Sequence, residues 1–290
     1  MRTKTTQAEP WLIYAYGGGW GHLTRASALA RAAAVYAPVS IRSNSAYTHR
    51  LPPAPELTCE PAVFIVDTFP RGITGELAGV LPSLKAKKVL IHRSLNPSYV
   101  EWAGLPEFVA AHYDLVVIPG PDEGGAFPGV VTDPWLIRDL PIRDAPPNDI
   151  VICAAGNTAE LAWYGAVAAL LPTALCIAAH CPPGCPPERW LRHWPALDYI
   201  AGARVVIGGA GYNTVAECLA CGIPLIAKAW PRKYDLQRRR AEHAAVRGSV
   251  TLVEAPEEAA AAAHSYPPAS SALCSNGAHA AAARIHSILS

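Results

Sequence analysis

Residues 205–226 read VVIGGAGYNTVAECLACGIPLI. An apolar β-type run ends in glycines, a helix opens at Asn213 or Thr214, Gly222 closes it, and the next strand begins at Pro224. Glycine past a helix end and proline just beyond it are the expected stop signals. The unit is therefore strand, turn, helix, strand. A helix start presents free amides and the positive end of its dipole, which together seat a phosphate. Gly209, Gly211, Asn213 and Thr214 stand at that seat. Glu217, one turn further, is placed to accept hydrogen bonds from ribose hydroxyls. The stretch WPRKYDLQ, residues 230–237, adds Asp235 and Gln237, which can exchange hydrogen bonds with sugar hydroxyls.

The same rhythm extends in both directions. Apolar strand candidates are 11–16, 39–42, 62–67, 88–92 and 115–119, then 150–154, 173–179, 205–208, 224–228 and 249–253. Helical runs lie between them at 22–36, 76–84, 97–111, 158–171, 213–221 and 236–247. Strands apolar on both faces, alternating with helices, imply parallel sheets covered by helices. Two sets of about five strands predict an α/β chain of two doubly wound, Rossmann-like domains facing a cleft. The irregular stretch 133–149 carries four prolines and mixed charge, so domains of 1–144 and 145–290 are expected. A last helix over 276–290 follows the linker SYPPASS (265–271) and is free to pack back on the first domain.

The first strand ends in YGGGWGHLTR, residues 16–25. Glycines there let the backbone turn sharply and approach a ligand. The spacing differs from the dinucleotide G-x-G-x-x-G fingerprint. His22 follows the turn directly, where strand ends form a crevice, and an imidazole can take a proton from a hydroxyl near neutral pH. A helix-capping histidine is the structural alternative.

These residues carry a resemblance. The second half resembles the donor domain of GT-B glycosyltransferases, of the kind seen in the muramyl-pentapeptide N-acetylglucosaminyl transferase and the nucleotide-sugar glucosyltransferases. GGAGYNTVAE, CGIP and DLQ occur in the family's order. GGGWGH is similar to its first loop, and Pro141–Arg143 to the joint before its donor domain. The resemblance implies that Gly209, Gly211, Asn213 and Thr214 bind the diphosphate, Glu217 the ribose, and Asp235 with Gln237 the donor sugar. It implies His22 as general base, with Gly19, Gly21, Arg25 and Arg143 at the substrates. Arg240 stands where the family has asparagine, and the acid and amide are spread as Asp-Leu-Gln.

Asp67, at the end of the strand FIV, lies in the crevice region expected for His22. It can orient His22, activate an acceptor itself, or cap a turn. Arg71 and Glu76 are placed to bind an acceptor or each other. Arg93 can neutralise an acidic acceptor or the diphosphate, since a guanidinium pairs with phosphate in two places; a surface ion pair is the alternative. Arg238–Arg240 reads as the solvated start of a helix. No Asp-x-Asp ends a strand to hold a metal-bound diphosphate. The helix dipole and arginines take that role instead, and neither cofactor nor metal is expected.

Composition narrows the class. The chain has 290 residues, 24 basic against 23 acidic, 51% hydrophobic and 16% charged. That excludes general disorder, and a net charge of +1 argues against a nucleic-acid partner. The uncharged stretch 161–187 is split by Pro172 into a helix and a strand, so no transmembrane segment is expected, and contact with a membrane surface stays open. The N-terminus lacks a secretory apolar core. Cys59, Cys153, Cys176, Cys218 and Cys274 are scattered, and the close pairs Cys181/Cys185 and Cys218/Cys221 read as structural rather than zinc-binding. A cytoplasmic protein is expected.

Three readings follow. The first is a hexosyl-type glycosyltransferase, inverting, moving a sugar from a nucleotide sugar to a small or soluble acceptor. UDP is preferred from the resemblance. The second is a nucleotide-sugar hydrolase of the same fold, in which His22 activates water. The third is a non-catalytic sugar-nucleotide binder. The sequence names neither donor sugar, acceptor nor oligomeric state.

Overall fold

The structure is a computed structural model describing residues 9–17, 19–51, 60–266 and 275–290. Cys59, Cys274, the first eight residues and most of the 265–271 linker lie outside the described residues. The described residues form two compact units, one within Met1–Ile137 with Asn276–Ser290 and one within Arg138–Ser275.

The first unit holds β1 (Trp11–Tyr14), α1 (Trp20–Ala33), β2 (Val39–Arg42), β3 (Val63–Asp67), β4 (Lys87–Ile91), α2 (Pro97–Trp102), α3 (Leu105–His112), β5 (Leu115–Pro119) and β6 (Val130–Thr132). All strands are parallel, in the order β2-β1-β3-β4-β5-β6. The chain winds outward from β1 to β2, then restarts on the other side of β1 with β3. Loops after β1 and β3 therefore diverge at a topological switch point, where open α/β sheets bind ligands. The core joins Trp11, Ile13, Ile65, Val89 and Val117 of the strands to Ala26, Leu29 and Ala33 of α1. It also includes Ala278, Ala281 and Ile285 of the C-terminal helix Gly277–His286. Asn276 fixes that helix, its side chain bonding the Leu136 amide at 3.0 Å and the Leu136 carbonyl at 2.9 Å.

The second unit holds β7 (Asn148–Cys153), α4 (Thr158–Leu170), β8 (Leu175–Ile177), β9 (Trp190–Leu191), α5 (Leu197–Ile200), β10 (Ala203–Gly209), α6 (Tyr212–Cys221), β11 (Leu225–Lys228), α7 (Gln237–Val246), β12 (Val250–Leu252) and α8 (Pro256–Ser265). Its strand order is β12-β11-β10-β7-β8-β9, again parallel. The switch point here lies between β7 and β10.

Several expectations need correction. Residues 76–84 are not a helix but turns and a 3₁₀ segment, Leu81–Ser83. Gly72 and Gly75 adopt φ of 82° and 89°, and the Glu76 carboxylate accepts bonds from the Ile73 and Thr74 amides, so the chain curls around that side chain instead. The 97–111 run is two helices, broken at Gly104 with φ 53°. The short edge strands β6 and β9 and the alanine-rich α8 were not anticipated. Among the described residues no helix is long and apolar enough to cross a membrane.

Candidate active site

At the first switch point the first turn of α1 delivers His22 and the end of β3 delivers Asp67. His22 Nδ1 lies 2.6 Å from Asp67 Oδ2. Arg25, one turn along α1, meets the same carboxylate in a fork, Nε to Oδ1 at 2.9 Å and Nη2 to Oδ2 at 2.7 Å. Arg25 and Asp67 are each only 1% exposed. Asp67 is therefore not a turn cap; among the roles open to it, its geometry is that of a group orienting His22. Arg25, expected at the substrate, spends its guanidinium on Asp67, on the Thr68 hydroxyl and on the Gly21 carbonyl.

The electrostatics are consistent with this arrangement. Burial alone would raise the Asp67 carboxyl, but the Arg25 charge and His22 outweigh it and hold Asp67 well below the usual carboxylate range. An ionised Asp67 can only accept, so His22 donates from Nδ1 and keeps Nε2 unprotonated. Burial lowers the His22 pKa; Asp67 opposes this, while Arg25 and Arg93 add to it. The imidazole is then neutral at neutral pH, the form a base needs.

Gly17, not singled out from the sequence, is required by this geometry. A Cβ there would stand 2.1 Å from both Cδ2 and Nε2 of His22, a distance real atoms do not tolerate. The Gly17 amide is held by Asn44 Oδ1 at 3.0 Å. Gly17→Ala is expected to push the imidazole aside and lower turnover about 100-fold, since misplacement by about 1 Å costs that much. The check is steady-state kinetics beside a thermal melt: a near-normal rate in a folded variant would show that His22 tolerates the shift.

The remaining expected residues of this unit divide. Gly19 is the N-cap of α1, with nothing near its missing side chain. Gly21 lies in the first turn and accepts from Arg25. Arg93, at the end of β4, is 8% exposed and close enough for its charge to act on His22. Arg71 instead lies over the Phe108 ring at 4.6 Å. Glu76 does not pair with Arg71; it accepts from the Tyr14 hydroxyl at 2.5 Å. Half-buried aromatic rings adjoin His22: Phe69 lies 5.8 Å from the imidazole and Tyr99 is edge-on to Phe69. Trp20, in the same turn of α1, stacks on Tyr47 at 3.8 Å.

In the second unit β10 ends at Gly209, and Gly211 is the N-cap of α6, whose first residues include Asn213 and Thr214. Two of the glycines sit in tight places: a Cβ on Gly208 would press Thr214 at 3.0 Å, and one on Gly209 would press the Tyr164 hydroxyl at 3.1 Å, while Gly211 has open space. Glu217 faces inward, 5% exposed. Burial and the nearby Asp198 charge push its pKa up to about 8. Trp230 borders the turn, its Nε1 donating to the Tyr164 hydroxyl at 2.9 Å. At the start of α4, Glu160 receives both Arg232 nitrogens, at 2.5 and 2.6 Å. The cap was readable as Asn157-x-x-Glu160, but Arg232, 72 residues away, was not.

The sugar loop also departs from expectation. Arg240 is buried, not solvated: its Nη2 meets Asp235 Oδ1 at 2.7 Å and its Nη1 the Ala210 carbonyl at 2.9 Å. It ties Asp235 to the glycine turn. Gln237 Oε1 accepts from the Trp230 amide at 3.1 Å. Arg143 is exposed, and among the described residues no hydrogen bond joins it to either cluster. The described cysteines are free thiols, and among the described residues no group of three or more His, Cys, Asp or Glu is placed to hold a metal.

Two parallel sheets of this order, with a glycine-turned helix start at the second switch point, have the architecture of the GT-B fold. Residues 194–261 match the glycosyltransferase family 28 C-terminal domain. No curated protein matches the chain in sequence. Among solved structures it is similar to the Streptomyces sp. SF2575 glycosyltransferase SsfS6 complexed with thymidine diphosphate, with 14% identity over 97% of this chain and 95% of that one, and a TM-score of 0.62. It is similar to the spinosyn forosaminyltransferase SpnP, with 13% identity over 98% and 100%, TM-score 0.59. It is also similar to the spinosyn rhamnosyltransferase SpnG complexed with thymidine diphosphate, with 16% identity over 97% and 95%, TM-score 0.57. At these identities the likeness is one of fold.

Proposed function

We propose that the chain transfers a sugar from a nucleoside diphosphate sugar to the hydroxyl of a small acceptor, with inversion and without a metal. The observation that carries this reading is the part-buried His22–Asp67 pair at 2.6 Å, at a sheet's switch point with Nε2 left as the base. His22 takes the acceptor's proton as its oxygen attacks the anomeric carbon. The departing diphosphate is received by Gly209, Gly211, Asn213 and Thr214 at the start of α6, whose dipole favours the growing charge. Glu217 accepts from the ribose hydroxyls. Asp235, oriented by Arg240, and the Gln237 amide meet the donor sugar. Arg93 meets the acceptor or the diphosphate. The aromatic rings near His22 suit an acceptor with an apolar body. Free thiols throughout the described residues fit the cytoplasmic setting expected from the sequence.

Uridine is the base we prefer from the sequence resemblance, while two of the similar structures hold thymidine diphosphate. Calorimetric titration with UDP, dTDP, GDP and ADP is expected to give one clear winner with uracil or thymine. Binding of none would sink the reading. Turnover of the matching nucleotide sugar is then followed with and without acceptors. Rapid release of free sugar from donor alone, unaffected by acceptor, would assign the hydrolase instead.

A further inference from the structure

The candidate base does not stand on a simple His–Asp pair. Asp67 Oδ2 is shared between His22 Nδ1 and Arg25 Nη2, and Asp67 Oδ1 takes Arg25 Nε. Thr68 adds its hydroxyl, which accepts from Arg25 Nη2 at 3.1 Å and donates to Asp67 Oδ1 at 3.3 Å. Thr68 has a φ of 73°, the left-handed region that a β-branched residue rarely enters. A glycine would hold that backbone freely but would bring no hydroxyl. The sequence keeps threonine there, at 1% exposure, with its hydroxyl on the clamp.

We propose that Arg25 and Thr68 form a buried clamp that fixes Asp67 in one orientation and sets the basicity of His22, making Arg25 a positioning residue rather than a substrate contact. This rests on the reading of His22 as the base. The physical argument is one of charge and of lone pairs. Asp67 alone would favour a protonated imidazole. Arg25 supplies a positive charge on the far side of the same carboxylate, where it competes for Oδ2 and opposes a second positive charge on His22. Arg93, from the end of β4, acts in the same direction. Phe69 faces the ring but carries no charge. The clamp thus trades base strength for a fixed direction: the carboxylate cannot rotate, the Nδ1 proton cannot leave it, and Nε2 stays aimed and unprotonated. Spacing makes this possible, since residues three apart on α1 share a face.

The test is an NMR titration of the His22 ring protons in the full-length protein, beside a pH–rate profile. Arg25→Gln removes the charge, and the His22 pKa is expected to rise by about one unit, in line with the loss of a nearby like charge. The acid limb of the rate profile should move up with it. Arg25→Lys keeps the charge but loses the fork, so the pKa should stay near the parent value while kcat falls with little change in KM. Thr68→Val keeps the shape and removes the hydroxyl, and should give a smaller drop in kcat. A folded Arg25→Gln variant with an unmoved His22 pKa overturns the clamp. If Arg25→Gln does not fold, Arg25→Lys decides: an unchanged kcat overturns it. The titration needs no turnover. A shifted pKa in a protein that transfers no sugar would uphold the clamp while removing the proposed reaction.

Discussion

His22→Ala is expected to abolish most of the proposed sugar transfer and to leave nucleotide binding in place. A positioned general base contributes about 10²- to 10⁴-fold, and His22 has the geometry to deliver the upper part of that range. Its Nδ1 is occupied by an ionised Asp67 and its ring is wedged against Gly17, so Nε2 has one direction. Apart from Arg93, the residues assigned to the nucleotide belong to the second unit and to elements other than the one that carries His22. Asp67→Asn is expected to lose nearly as much. An amide cannot hold the Nδ1 proton as a carboxylate does, and it leaves Arg25 buried without its countercharge, so this variant should also melt lower. The pH profile supplies an independent check. With His22 as the base, transfer would require its neutral form, so the rate is expected to fall as pH drops through its pKa. Burial has lowered that pKa, so the fall belongs on the acid side of the ordinary histidine value of ~6.5. A His22→Ala enzyme retaining more than a tenth of parental turnover would remove the base from the scheme. So would a parental rate that stays flat through mildly acidic pH while Asp67→Asn remains active.

The sequence and the structure agree where local punctuation is strong. The β10–α6 unit was legible because Gly208, Gly211 and Gly222 mark its turn, start and stop, and the structure puts Gly222 at φ 68°. His22 was legible because it follows a glycine turn after the first strand. What local reading could not supply was the partner of each charged group. Asp67 meets Arg25 and His22 across more than 40 residues, and only the switch point of the sheet brings them together. Arg238 to Arg240 look alike in sequence, yet one residue in three must face inward from a helix packed on a sheet. Arg238 and Arg239 are exposed and Arg240 is buried on Asp235. Residues 76–84 have the composition of a helix, but Glu76 bonds a tyrosine 62 positions earlier, and that tertiary contact defeats local propensity. The left-handed Thr68 breaks a local rule at the candidate site itself, where such backbone strain, of order 1–3 kcal/mol, tends to gather.

Glu217→Gln is expected to make the unliganded protein more stable at pH 8 and worse at binding its nucleotide. Glu217 is buried in α6 near Asp198, and among the described residues it has no hydrogen bond or ion pair of its own. Its pKa rises from 4.5 to about 8. The sign follows from proton counting. Between those two values the unfolded chain has released this proton and the folded one still holds it, so stability falls as pH rises. Across the window the loss is on the order of a few kcal/mol. Glutamine has the same shape and no proton to lose, so the slope attributable to this position should vanish. The variant and parent should melt alike near pH 5, and the variant should melt higher at pH 8. Binding moves the other way. At pH 8 and above, where Glu217 ionises, a carboxylate accepting from two ribose hydroxyls makes charge-assisted bonds, roughly twice as strong as neutral ones. An amide accepts through one oxygen only, so nucleoside diphosphate affinity should fall about tenfold or more, from a loss of ~1.5 kcal/mol. Urea or thermal melts at the two pH values, with calorimetry of the preferred nucleotide, read both effects on one sample. A purely structural acid would behave differently. Its replacement would leave nucleotide affinity unchanged, and that result would take Glu217 out of the donor site. A group whose burial costs stability at working pH, and whose removal costs only ligand affinity, is held there by the ligand it binds.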